Sequence, residues 1–152
     1  MPNGVQQAEA MFRKKFAQLG QLIAAMGEKA AWEKMLEGYP ERQRQHMGAF
    51  IKDTTLADGF AKAIPLFKQM GMEMEVIDIS NRETDAVLEI QKACPVLALC
   101  QEYGFTKPCR AVCELDIEAT RRAFPDMKAK ILSRQADGDC VCVFKYERNV
   151  QA

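Results

Sequence analysis

The spacing of apolar residues changes period at Gly71, and that change constrains the fold class more than any other feature. Before it, Phe12, Phe16, Leu19, Ile23, Met26 and Ala30 step by four, three, four, three and four, which is one apolar stripe on a helix. Tyr39-Pro40 ends that segment, and Met47, Phe50 and Ile51 mark a short helix over residues 41–52. Asp53 or Thr54 suits the N-cap of a further helix carrying Leu56, Phe60, Ala63, Phe67 and Met70, with Gly71 as its stop. Pro65 inside that helix predicts a kink, or a split after Ile64.

After Gly71 the pattern is that of strands. Residues 74–80 and 85–90 are rich in β-branched side chains and flank the turn 81–84, which reads as a hairpin. One helix is predicted from Cys94-Pro95 to Gly104, and another from near Thr106-Lys107-Pro108 to about Phe124-Pro125. Residues 128–134 and 140–147 form a second hairpin around Ala136-Asp137-Gly138-Asp139. The order implies an α+β fold. Residues 1–71 are helical, and residues 72–152 run ββααββ. The four strands make an antiparallel sheet with the helices of residues 95–103 and 108–124 on one face, and the N-terminal helices form a layer or flank. No repeat or linker interrupts the 152 residues, so a single domain is expected.

Charge excludes some partners. Lys plus Arg is 21 and Asp plus Glu is 21, so no basic face favours nucleic acid and no polybasic run favours a membrane surface. The longest N-terminal apolar patch, residues 22–26, falls far short of the roughly 20 residues of a span. A cytoplasmic location is expected. All six cysteines lie between positions 94 and 142. In a reducing compartment they read as a metal site, catalytic thiols or buried filler before disulfides.

With Pro95 as the first helical residue, Cys94 is an N-cap at the positive end of the helix dipole, where a thiol's pKa falls. The alternative is a small apolar cap. Cys109 and Cys113 share a helix face; Cys109 reads as core, while Cys113, followed by Glu114, is a site candidate. Cys140 and Cys142 point to one strand face with Phe144 and Tyr146, the core side. Cys100 reads as core and His46 as a surface or half-buried histidine. Cys94, Cys113 and Cys142 are expected to converge near Glu114 and Asp139. The same three thiols are the candidate ligands of a bound metal such as zinc, although no Cys-x-x-Cys pair occurs.

The order Cys94-Pro95, then Cys109-x-x-x-Cys113-Glu114, then Gly138-Asp139-x-x-Cys142-x-Phe144 resembles the L-2-amino-thiazoline-4-carboxylic acid hydrolase family over roughly residues 72–148. The last stretch is also similar to the C-terminal hairpin of 4-vinyl reductase domains, which bind small hydrophobic molecules and sometimes metal. A cysteine directly beside Cys142 is the more usual pattern, so Cys140 departs from it by one position. The hydrolase resemblance implies a cyclic isothiourea substrate carrying a carboxylate. Water is added at the carbon between sulfur and nitrogen, through a tetrahedral state in which the ring nitrogen takes a proton. On that resemblance Cys94 or Cys142 attacks, Glu114 or Asp139 moves protons and Arg110 holds the carboxylate. The expected function is a small hydrolase opening a cyclic C–N bond. The alternative is a non-catalytic sensor binding a small molecule or metal. The expected partner is a small-molecule ligand, with homo-oligomerisation left open.

Overall fold

The computed structural model describes residues 3–105 and 111–150. Four helices come first: α1 (Gly4–Met26), α2 (Glu28–Leu36), α3 (Tyr39–Ile51) and α4 (Leu56–Gln69). A hairpin of β1 (Met74–Asp78) and β2 (Thr84–Gln91) follows, then α5 (Leu97–Glu102) and α6 (Cys113–Ala123). The strands β3 (Lys128–Ser133) and β4 (Cys142–Asn149) complete a sheet of order β1-β2-β4-β3, antiparallel throughout. The α+β class and the four-stranded antiparallel sheet are as the period change implied.

Several local expectations are corrected. The stripe from Phe12 to Ala30 is two helices, because Gly27 at φ 84° breaks the helix between α1 and α2. Tyr39-Pro40 opens α3 rather than ending a segment, since Pro in a first turn gives up no helical hydrogen bond. The N-cap of α4 is Thr55, whose hydroxyl accepts the Asp58 N–H at 3.2 Å. Pro65 does not split α4. Pro65 and Ala61, whose carbonyl loses its partner, are both exposed, so water can replace the bond. The helix expected from Pro95 begins at Leu97, and the helix expected to run to residue 124 is helical from Cys113 to Ala123. Its expected start, Thr106-Lys107-Pro108, lies outside the described residues.

The sheet is covered on one face, by α6 as expected but with α4 in the place expected for α5. α4 lies on β1 and β2, and α6 lies on β3, with α3 packed against both helices. α5 packs on α1 instead of the sheet. The main core joins Ile51, Leu56 and Phe60 to Val87, Ile117, Ala129, Phe144 and Tyr146. The Phe60 and Tyr146 rings meet at 4.6 Å between centroids. A second core under α1 gathers Phe12, Phe16, Leu19, Val96, Leu99 and Cys100.

A buried ion pair ties the α3–α4 turn to the sheet. Asp85 on β2 accepts the Leu56 N–H at the start of α4, at 3.1 Å. Arg148, opposite Asp85 on β4, donates from Nε to Asp85 at 2.8 Å. Its Nη2 donates to the carbonyls of Ile51 and Thr54, which close α3 and precede α4. The carboxylate and the guanidinium are thereby both hydrogen-bonded, the condition under which a buried pair is tolerated.

The close approach of α3 and α4 depends on Gly59, where an added Cβ would lie 2.5 Å from the Phe50 carbonyl oxygen. Gly59→Ala should destabilise the fold by about 1–3 kcal/mol. For a chain of this length that is a fall in Tm of about 2–4 °C per kcal/mol. Gly20→Ala, in α1 with no atom within 4 Å of the added Cβ, should leave Tm equal or higher. Thermal melts of the two variants check this, and equal losses at both sites would contradict it.

Candidate functional site

Cys142 opens β4 on the covered face of the sheet and is 1% exposed. Half-buried Cys94 lies on the segment between β2 and α5. The Cys94 thiol hydrogen-bonds the Cys142 sulfur, and this bond is the main cause that lowers the Cys142 pKa. The backbone N–H of Gln135 also donates to that sulfur, at 3.4 Å, and the charge of Arg134 acts in the same direction. Burial and the Asp139 carboxylate oppose them, and the balance leaves Cys142 lowered to about 6.

The loop between β3 and β4 builds this arrangement. Asp139 accepts the Arg134 N–H at 2.9 Å, closing the loop on itself. Gly138 sits at φ 95°, a backbone conformation that suits glycine. The Arg134 guanidinium pairs with Glu114 in the first turn of α6. The Gln135 side chain donates to the carbonyls of Lys92 and Cys140 at 2.8 and 3.0 Å. It therefore joins the strand exit leading to Cys94 to the strand entry leading to Cys142.

Cys94 and Cys142 thus meet, and Arg134 links Glu114 and Asp139 to the loop beside them, with the Asp139 charge also acting on the Cys142 sulfur. The expected helix-dipole position of Cys94 is corrected: Val96 is the N-cap, and α5 has only six residues. Cys94 acts on its neighbour by thiol contact. Cys113 is the first residue of α6 rather than one turn into a helix, and it shares the main core with Cys142. Cys140 is exposed and precedes β4, so it does not share the Cys142 face as expected. The stretch 138–141 is not strand, which removes the alternation that would have placed it there. Cys100 is buried in the α1 core, and His46 is exposed. Arg110 and Cys109 lie outside the described residues. Among the described residues no group of three or more His, Cys, Asp or Glu is arranged to hold a metal ion. Among the described residues the thiol pair supplies two ligands, where a zinc site takes three or four protein ligands.

Further polar groups line the same interior. Glu89 and Gln91 point to the covered face of β2, at 8% and 6% exposure. Burial first, and then the charge of Asp116, push Glu89 up to about 8. Half-buried Asp116 on α6 accepts from the Tyr39 hydroxyl and from Gln43 Nε2, each at 3.0 Å. Burial still raises its pKa, although these bonds and the charge of Lys15 act against it. Sequence reasoning missed Glu89, Gln91, Arg134 and Gln135 as functional residues. The signal for the first two was their phase, since Glu89 and Gln91 fall in step with Val87 along β2.

The profile of one protein family, described as L-2-amino-thiazoline-4-carboxylic acid hydrolase, matches residues 5–146. That is nearly the whole chain, where the sequence motifs carried the likeness over only its second half. No curated protein matches significantly. Among solved structures, the fold is similar to the crystal structure of the phenol-responsive sensory domain of the transcription activator PoxR with phenol. The TM-score is 0.56 at 10% identity, over 93% of this chain and 74% of that one.

The thiol pair has a testable titration. A cysteine in an unfolded chain titrates near about 8.5, whereas Cys142 is held at about 6. The depressed value stabilises the folded state above the unfolded pKa, and this gain is lost as pH falls through about 6. Thiolate ultraviolet absorbance of the native protein should rise by one thiolate with a midpoint near pH 6. The rise should vanish in Cys142→Ser and move to higher pH in Cys94→Ser. No absorbance change below about pH 8 would contradict the arrangement.

Proposed function

The chain belongs to the L-2-amino-thiazoline-4-carboxylic acid hydrolase family, and on that premise we propose that it hydrolyses a ring carbon–nitrogen bond with Cys142 as nucleophile. The observation that carries this reading is the contact of the Cys142 sulfur with the Cys94 thiol and the Gln135 N–H, which lowers Cys142 to about 6. At neutral pH the two thiols then hold one proton between them, which supplies a nucleophile and an acid in contact.

The Cys142 thiolate adds to the carbon between the ring sulfur and nitrogen. The C=N electron pair moves to the nitrogen, which takes the Cys94 proton. The carbon–nitrogen bond breaks next, pushed by the exocyclic nitrogen's lone pair. One water gives a second proton to the departing amine, and the remaining hydroxide adds to the carbon. The Cys142 thiolate leaves as the hydroxyl proton passes to the Cys94 thiolate, and the starting state returns. The Gln135 N–H and the charge of Arg134 hold the thiolate form. Glu114 and Asp139 position Arg134. Arg110 keeps the role that the family resemblance implies, binding the substrate carboxylate.

The second reading is a non-catalytic sensor that binds a small molecule. The fold shared with a phenol-responsive sensory domain favours it. Turnover separates the two. On the hydrolase reading, ring opening of 2-amino-thiazoline-4-carboxylate should rise with pH through about 6. Cys142→Ser should lose it by about three orders of magnitude or more. Binding by the wild-type protein with no ring opening at any pH would overturn the hydrolase reading in favour of the sensor.

A further inference from the structure

Three polar side chains on the covered face of the sheet have no hydrogen-bond partner among the described residues. Glu89, Gln91 and Tyr146 are 8%, 6% and 3% exposed, and among the described residues none of their side chains makes a hydrogen bond. Asp85 is a control on the same strand and face: equally buried, it is bonded to the Leu56 N–H and to Arg148. Burial on β2 therefore does not by itself leave a carboxyl unanswered. Native interiors hold few unpaired polar groups, because each one costs its lost hydration. Three on one face of one strand pair describe a set of contacts that something else completes.

The register places the set beside the thiol pair. Gln91 is directly opposite Cys142, a pairing that sets Cβ atoms about 4.5–5.5 Å apart. Glu89 is opposite Phe144, one step further along, and Tyr146 follows on the same face. The charges of Glu89, Asp116 and Cys113 act on the Tyr146 hydroxyl, so these groups lie near one another on the covered side of the sheet. A carboxyl, a carboxamide and a phenol beside the rings of Phe144, Tyr146 and Phe60 suit a flat group rich in N–H donors. Asp116 opposes ionisation of Glu89, an effect that a bound cation would offset.

We propose that Glu89, Gln91 and the Tyr146 hydroxyl form a recognition site for an amidine-type group, two nitrogens on one carbon, presented to the Cys142 sulfur. The proposal rests on the reading of Cys142 as the reacting thiol. It names the groups that hold the electrophile rather than those that attack it.

Calorimetric titration with 2-amino-2-thiazoline, which has the amidine but no carboxylate, tests it. The wild-type protein should bind this probe, and 2-thiazoline, which lacks the exocyclic nitrogen, should bind at least about tenfold more weakly. Glu89→Gln should weaken the probe at least about tenfold, and Tyr146→Phe about fivefold, with both variants as thermally stable as wild type or more so. Cys142→Ser should keep the wild-type affinity. Equal affinity in wild type and Glu89→Gln, or no binding to wild type, overturns the proposal and leaves the thiol reading intact. Probe binding that depends on Glu89, with ring opening that survives in Cys142→Ser, supports the recognition site and overturns the nucleophile instead.

Discussion

The covered face of the central strands carries polar side chains where a sheet under helices ordinarily carries apolar ones. Asp85, Glu89 and Gln91 alternate with the outward residues of β2, and only Val87 in that row is apolar. Each buried polar group must be answered by another group or it destabilises the fold. Asp85 is answered by Arg148 and the start of α4, and this pairing fixes the α3–α4 turn over the sheet. Glu89 and Gln91 are unanswered among the described residues, and they lie next to the thiol pair. The same strand thus holds the fold together at one end and leaves unmet bonding capacity at the other.

The thiol pair follows from two chain segments meeting at one point. Cys142 enters β4 from a loop that Asp139 closes, and Cys94 leaves β2 on a segment that Gln135 holds in place. Neither thiol would be unusual alone, since a buried cysteine in apolar surroundings is inert. The hydrogen bond from Cys94, the Gln135 N–H and Arg134 make Cys142 different. Glu114 contributes at one remove by anchoring the Arg134 guanidinium.

The fold class was legible in the sequence because period is a local property. The change from helical to alternating spacing at Gly71 requires no knowledge of what packs on what. Both hairpins were legible for the same reason. What covers the sheet was not, because which helix packs on it depends on contacts between distant segments: α4 takes the place expected for α5, and Glu89 and Gln91 rather than Leu88 and Ile90 face inward. Pairing with β4 decides that phase: Gln91 opposes Cys142 and Val87 opposes Tyr146. At the site, Cys94, Cys113 and Cys142 were expected to converge beside Glu114 and Asp139; the contact of Cys94 with Cys142 arises without the helix-cap position expected for Cys94. Arg134 and Gln135 carried no motif, because their roles come from one backbone N–H, one charge and two carbonyl contacts formed only in the folded loop.

Peptide mass spectrometry of protein quenched with acid during turnover of 2-amino-thiazoline-4-carboxylate tests the central claim most directly. The expected result is a mass increase confined to the peptide carrying Cys142, absent from Cys142→Ser. Turnover with every cysteine unmodified, or with the adduct on Cys94, would contradict it.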